Sequence, residues 1–184
     1  WPGQGFYTKF PVNSVSDFKG KKLRIYSTAT QQMGSMLGFN ATILPFAEIP
    51  QAFSTGLIEA LFTSPQTGID IQAWDNTKHF TYAGAIFSKN AVVVTKKAFD
   101  ALSKGDQSNM LAAAKKAELR GWEMSAETTK KQIGTLKKNG MSSKNAPDEV
   151  ISKMKSIGLE MMKNWRSKAS PEANAVLDRY LSMR

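Results

Sequence analysis

The chain has 184 residues, 41% of them hydrophobic and 10% aromatic, enough to close a sizeable core and to exclude a disordered polypeptide. It has no cysteine, which excludes disulfides and thiolate metal sites, and 25 Lys and Arg against 15 Asp and Glu leave a net charge of +10. That charge raises nucleic acid as a partner. However, the basic residues are spread along the chain, most densely at Lys130, Lys131, Lys137 and Lys138, without interleaved aromatics to stack bases.

The opening Trp1-Pro2-Gly3-Gln4-Gly5 reads as turn-forming sequence beside a tryptophan that favours burial, as expected of a chain cut within a larger protein. It lacks the basic start and apolar core of an export signal, so any such signal is expected to have been removed already. No stretch has the length and apolarity of a membrane-spanning helix. Residues 14–20, with Ser16 and Asp17 as caps before Gly20, predict a single helical turn.

Lys21-Lys22-Leu23-Arg24-Ile25-Tyr26-Ser27 predicts a strand that turns Leu23 and Ile25 to one face and Arg24 and Tyr26 to the other. A guanidinium on an inner face calls for an anion. Its planar fork of donors fits a carboxylate bidentately, a charge-assisted pair worth about 1.5 to 3 kcal/mol. The alternation by itself also fits an edge strand with Arg24 on the surface.

Residues 28–37, with Met33, Met36 and Leu37 ahead of Gly38, predict a helix closed by glycine. Residues 41–44 predict a second strand stopped by Pro45. A short helix follows over 47–53, with Ile49 and Phe53 four apart and Pro50 in its first turn, and a third strand over 57–62. Strands alternating with helices at this spacing predict parallel βαβ units, whose ligands bind outside the carboxyl ends of the strands. Arg24, Tyr26 and Ser27 lie near one such end and Phe62, Thr63 and Ser64 near another, so a shared cleft is expected. Trp74, on a helix over 66–74, lies within reach of that cleft or serves as an ordinary core aromatic.

Within residues 80–96, Ile86-Phe87 and Ala91-Val92-Val93-Val94 form two extended apolar segments around Ser88-Lys89-Asn90, predicted to cross between lobes. A long helix then runs from a cap at Asp106 to Gly140, with Leu111, Ala114, Trp122, Ala126, Thr129, Ile133 and Leu136 along one stripe that Glu118 interrupts. At 1.5 Å per residue it spans about 50 Å, enough to brace two lobes. Residues 147–165 and 171–181 predict two further amphipathic helices, the first with Val150, Met154, Ile157 and Met161 on one stripe.

His79 is the sole histidine, and no nucleophile elbow, P-loop, GxGxxG fingerprint or metal-ligand spacing accompanies it. Neither an enzyme nor a cofactor or metal is expected.

Ser14-Val15-Ser16-Asp17-Phe18-Lys19-Gly20-Lys21-Lys22-Leu23-Arg24-Ile25, Leu44-Pro45-Phe46-Ala47-Glu48-Ile49 and Ser54-Thr55-Gly56-Leu57-Ile58-Glu59-Ala60 follow one another in a distinctive order. With residues 90–99 and the long helix, they resemble the extracytoplasmic solute-binding proteins of tripartite ATP-independent periplasmic (TRAP) transporters, from about residue 14 to the C-terminus. The resemblance implies a periplasmic binding protein-like α/β fold of two lobes joined by long strands and a long helix. Such proteins close over an organic acid in the periplasm and pass it to a sodium-coupled membrane permease.

Family members are longer, so this chain is expected to lack the first part of the N-terminal lobe. Residues 1–89 would form second-lobe structure with the ligand-binding strand ends, 90–140 the interlobe strands and connecting helix, and 141–184 the C-terminal helices packed on the second lobe. Uncovered apolar strands in such a fragment imply self-association.

By the same resemblance, Arg24 matches the arginine that pairs with the substrate carboxylate, and Phe46 an aromatic that packs against the ligand. At Leu61-Phe62-Thr63-Ser64-Pro65 the chain departs from the family's Gln-Glu-Asn-Pro motif, with Thr63 in place of asparagine. The commonest sugar-acid and dicarboxylate contacts therefore do not carry over, and Phe62 with two hydroxyls points to a monocarboxylate or a more hydrophobic acid. The expected ligand set is Arg24, Tyr26, Ser27, Phe46, Phe62, Thr63, Ser64, Trp74 and, from the interlobe strand, Asn90. A basic nucleic-acid-binding domain is the alternative.

Overall fold

The computed structural model describes residues 1–183, except for the side chain of Ala126, so the place of Ala126 on the predicted stripe lies outside the described residues. The first element is a strand, β1 (Gln4–Thr8), buried along its whole length, where the sequence predicted a turn. The glycines that imitated a turn serve close packing instead. A Cβ on Gly5 would stand 2.5 Å from the Thr81 carbonyl oxygen, and one on Gly3 would stand 2.9 Å from the Gly84 backbone.

A 3-10 turn, Val15–Phe18, follows, its Ser14 and Asp17 forming a reciprocal cap. The backbone N–H groups of Asn13 and Ser14 donate to the Asp17 carboxylate and hold its pKa below the usual range. The chain continues through β2 (Lys22–Ile25), α1 (Thr28–Met36), β3 (Asn40–Ile43), α2 (Ile49–Ser54), β4 (Ala60–Thr63), α3 (Pro65–Asp70) and β5 (His79–Ala85). Gly38, at φ +96°, closes α1 in the left-handed conformation that glycine adopts freely. After β5 come α4 (Lys96–Asp100), α5 (Lys104–Lys138), β6 (Ser142–Asn145), α6 (Asp148–Arg166) and α7 (Pro171–Ser182).

The strands form one sheet in the order β3-β2-β4-β1-β5-β6. β2 runs parallel to β3 and β4, and β5 parallel to β6, while β1 lies antiparallel between β4 and β5. Alternation along the strands divides the apolar residues between two layers. Phe6, Leu23, Ile25 and Phe62 pack with Phe18, Phe39, Met33 of α1 and Val150 and Ile157 of α6. Tyr7, Leu61 and Phe80 point the other way and pack with Ile49, Phe53 and Leu136. The predicted strands and helices thus form a mixed α/β fold around a central sheet.

Three expectations change. Ile86-Phe87 and Ala91–Val94 are not strands, because β5 ends at Ala85, Ile86 takes φ +55°, and among the described residues no strand forms a ladder with residues 86–95. The long helix is capped by Ser103, whose hydroxyl accepts from the Asp106 N–H at 3.1 Å. Its predicted stripe is buried only toward the C-terminal end: Leu136 is inaccessible, whereas Leu111 is 60% exposed. β6, a Ser-Ser-Lys-Asn strand without an apolar alternation, was not predicted at all. Its edge position beside β5 gives it a backbone partner that its side chains do not announce.

Candidate functional site

The carboxyl ends of β2, β3, β4 and β5 share one edge of the sheet, and the antiparallel β1 brings its amino end, Gln4, to the same edge. A cavity of about 300 Å³ opens there. Arg24 lies in β2, flanked on both sides by β3 and β4, and is 5% exposed. Alternation sends its side chain away from the Leu23 and Ile25 layer, and its Nε donates to the Leu44 carbonyl at 3.0 Å. Among the described residues no carboxylate forms an ion pair with it. Burial pulls its pKa below the usual value, with the neighbouring Tyr26 opposing the shift. A buried guanidinium without a carboxylate partner, facing a cavity, has the chemistry to accept an anion.

Around Arg24 the cavity is lined by Tyr26 from the end of β2, Phe46 from the turn after β3, Thr63 and Ser64 from the end of β4, and Asn90 beyond β5. Phe46 is 52% exposed at the rim, whereas Thr63 and Ser64 are buried. The Ser64 hydroxyl caps α3, accepting from the Thr67 N–H at 3.2 Å, and Thr67 lines the same cavity. The Tyr7 hydroxyl donates to the carbonyls of Ser64 and Pro65 at 3.3 Å and so fixes this turn from below.

Three predicted residues lie elsewhere. Phe62 is wholly buried in the layer opposite Arg24, because a residue between Leu61 and Thr63 must face the other side of the sheet. The Ser27 hydroxyl caps α1, accepting from the Thr30 N–H at 3.2 Å. Trp74 packs against the layer that holds Tyr7 and Phe80. The residues that the sequence reading missed are Trp1, Gln4, Thr67 and Ser88. For Gln4 a signal existed: a long polar side chain bracketed by Gly3 and Gly5 within a strand-length segment.

A second cavity, about 440 Å³, lies between α1, α6 and the end of β5, lined by residues such as Met33, Ile86, Ile151, Met154 and Met161. Lys155 is its single charged lining residue, and it has no set of converging polar groups. Among the described residues no group of three or more His, Asp or Glu is arranged to hold a metal ion, and no helix is long and apolar enough to cross a membrane.

In an open α/β sheet, a cavity at the carboxyl edge of the strands is where small ligands bind. The model of the bacterial extracellular solute-binding proteins, family 7 (DctP), matches residues 3–168, and the chain belongs to this family of TRAP solute-binding proteins. It is a family of transporter binding proteins and not of enzymes.

Among solved structures, the chain is similar to DctP7, a Bordetella pertussis extracytoplasmic solute receptor binding pyroglutamic acid. The identity is 40% and the TM-score 0.90, over 98% of this chain and 60% of that one. DctP6, a second B. pertussis receptor binding pyroglutamic acid, is 36% identical with a TM-score of 0.93, over 99% of this chain and 60% of that one. A marine metagenome TRAP solute-binding protein specific for pyroglutamate is 32% identical with a TM-score of 0.89, with 99% and 60% covered. The chain therefore spans about 60% of the length of these structures. The matches give no support to a nucleic-acid-binding domain.

Proposed function

We propose that this chain forms part of a periplasmic receptor for a small monocarboxylate, pyroglutamate or a close analogue, which it delivers to a sodium-coupled membrane permease. One observation carries the reading: Arg24 is buried, has no carboxylate partner among the described residues and faces a polar cavity. The ligand carboxylate takes the guanidinium, Thr63, Ser64 and Asn90 orient it, and Phe46 covers its apolar side. The pyroglutamate-binding relatives support the ligand class.

In the same proposal residues 1–89 and 141–184 belong to one lobe, and residues 90–140 lead toward another that closes over the ligand. Closure strengthens the ion pair by excluding water. The exposed Val92, Val93 and Val94 support self-association of the chain when it is isolated, and light scattering from a monomer would overturn that part.

The test is calorimetric titration of the protein at its full natural length with pyroglutamate and other organic acids. Removing one member of a desolvated charge pair costs about 2 to 5 kcal/mol, so Arg24→Ala is expected to weaken binding by at least about 30-fold. Retained affinity in that variant would remove the reading.

A further inference from the structure

Beyond Tyr26 one wall of the cavity carries an uncharged carboxamide, that of Gln4, next to Trp1 and Ser88. Gln4 is only 3% exposed. Its Nε2 donates to the Tyr26 hydroxyl at 2.8 Å and to Ser88 Oγ at 3.3 Å, and its Oε1 accepts from the Tyr26 hydroxyl at 3.0 Å. The backbone is arranged to aim it. The β1–β5 register shifts between Gln4 and Gly5, the kind of irregularity that redirects a side chain next to a binding site. Glycine at position 5 allows β5 to approach there, since a Cβ would meet both the Thr81 carbonyl and the Phe80 ring.

We infer that Gln4 is the specificity-determining residue that reads the uncharged amide of the ligand and selects a lactam acid over a dicarboxylate; this rests on the monocarboxylate reading of the same site. A primary carboxamide presents an N–H and a C=O side by side in one plane, with two donors and two acceptor lone pairs in all. A five-membered lactam is held cis, so it also presents N–H and C=O side by side. The two groups pair through two hydrogen bonds at once, lactam N–H to Gln4 Oε1 and Gln4 Nε2–H to the lactam carbonyl.

The Tyr26 hydroxyl occupies that double position, touching both ends of the carboxamide. Tyr26 is 37% exposed and so has room to yield it. A second carboxylate in that position would be desolvated against the neutral carboxamide in place of a buried cation, which disfavours dicarboxylates. A ring that displaces Tyr26 without an amide of its own leaves the Gln4 polar atoms unpaired, which discriminates strongly against it.

The experiment compares pyroglutamate with cyclopentanecarboxylate, which keeps the ring and the carboxylate and lacks the amide, by calorimetry on the full-length protein and its Gln4→Leu variant. The native protein is expected to prefer pyroglutamate by about tenfold or more, and Gln4→Leu to abolish that preference while cyclopentanecarboxylate changes by less than about threefold. Equal losses for both ligands would show a merely structural role and overturn the inference, as would an unchanged preference.

Gln4→Glu keeps the shape and adds charge, and decides the matter if Gln4→Leu fails to fold. It is expected to lose more affinity for pyroglutamate than for cyclopentanecarboxylate, and equal losses for the two acids would overturn the inference. A native protein that binds pyroglutamate, with Gln4 variants that leave the preference intact, sinks this inference alone. A native protein that binds neither acid sinks the monocarboxylate reading and this inference with it.

Discussion

The two halves of α5 carry one amphipathic pattern and meet opposite fates. Toward its C-terminus Leu136 is inaccessible among Tyr7, Phe80 and Met141, Ile133 is half-buried beside it, and Gln132 donates to Gln66 of α3 at 3.0 Å. Toward its N-terminus Leu111 and Trp122 of the same stripe are 60% and 54% exposed. The helix is continuous through both. Helical spacing therefore defines a face, and only a packed neighbour makes that face a core.

Substitutions within and beneath this helix can break the contrast. The largest effect is expected from Leu136→Ala, which empties a buried leucine site and should cost about 2 to 5 kcal/mol in chemical denaturation. A loss near that of an exposed leucine would show that the C-terminal half is not held by packing. Gly68→Ala comes next. The helix α5 rests on α3, and α3 sits on Tyr7 with no room for a Cβ at Gly68, which would collide with the phenol. Overpacking of this kind costs about 1 to 3 kcal/mol, measurable by thermal unfolding; an unchanged midpoint would mean that α3 is free to lift.

Tyr7→Phe removes the hydroxyl that donates to the carbonyls of Ser64 and Pro65, for an expected loss of about 1 kcal/mol at neutral pH. It also removes a pH effect whose sign is fixed. Burial, assisted by the negative charge of Asp70, raises the Tyr7 pKa well above its ordinary value of 10.0. The folded state therefore keeps its proton where the unfolded chain releases it. Stability is fully present below about pH 10 and falls as the pH rises from there toward the folded-state value. Denaturation curves at increasing alkaline pH should fall less steeply for Tyr7→Phe, and parallel curves would refute the assignment. The smallest effect belongs to Leu111→Ala, expected to stay within about 0.5 kcal/mol of the native protein. A cost comparable to that of Leu136→Ala would erase the difference between the two halves.

The same distinction between pattern and partner governs how much of the site could be read in advance. The alternation in residues 22–26 placed Arg24 and Tyr26 on one face, and the structure keeps both at one cavity. Grouping Phe62 with Thr63 and Ser64 as cavity-lining residues overlooked that alternation, which puts Phe62 in the opposite layer. Ser27 carries a hydroxyl at a strand end, but the following helix requires it as a cap. Residues 91–94 have strand composition without a strand beside them, and β6 has a strand beside it without strand composition.

From its residue order this chain determined β2, β3, β4 and the main helices, and which of their side chains share a face, because those periodicities are local properties of the backbone. Tertiary structure alone decided that Gln4 joins Tyr26 across 22 residues of sequence and Ser88 across 84. That meeting depends on β1 running against its neighbours, so that its first residue reaches the edge where their last residues lie, and strand direction within a sheet is set by long-range pairing that no short stretch of sequence encodes.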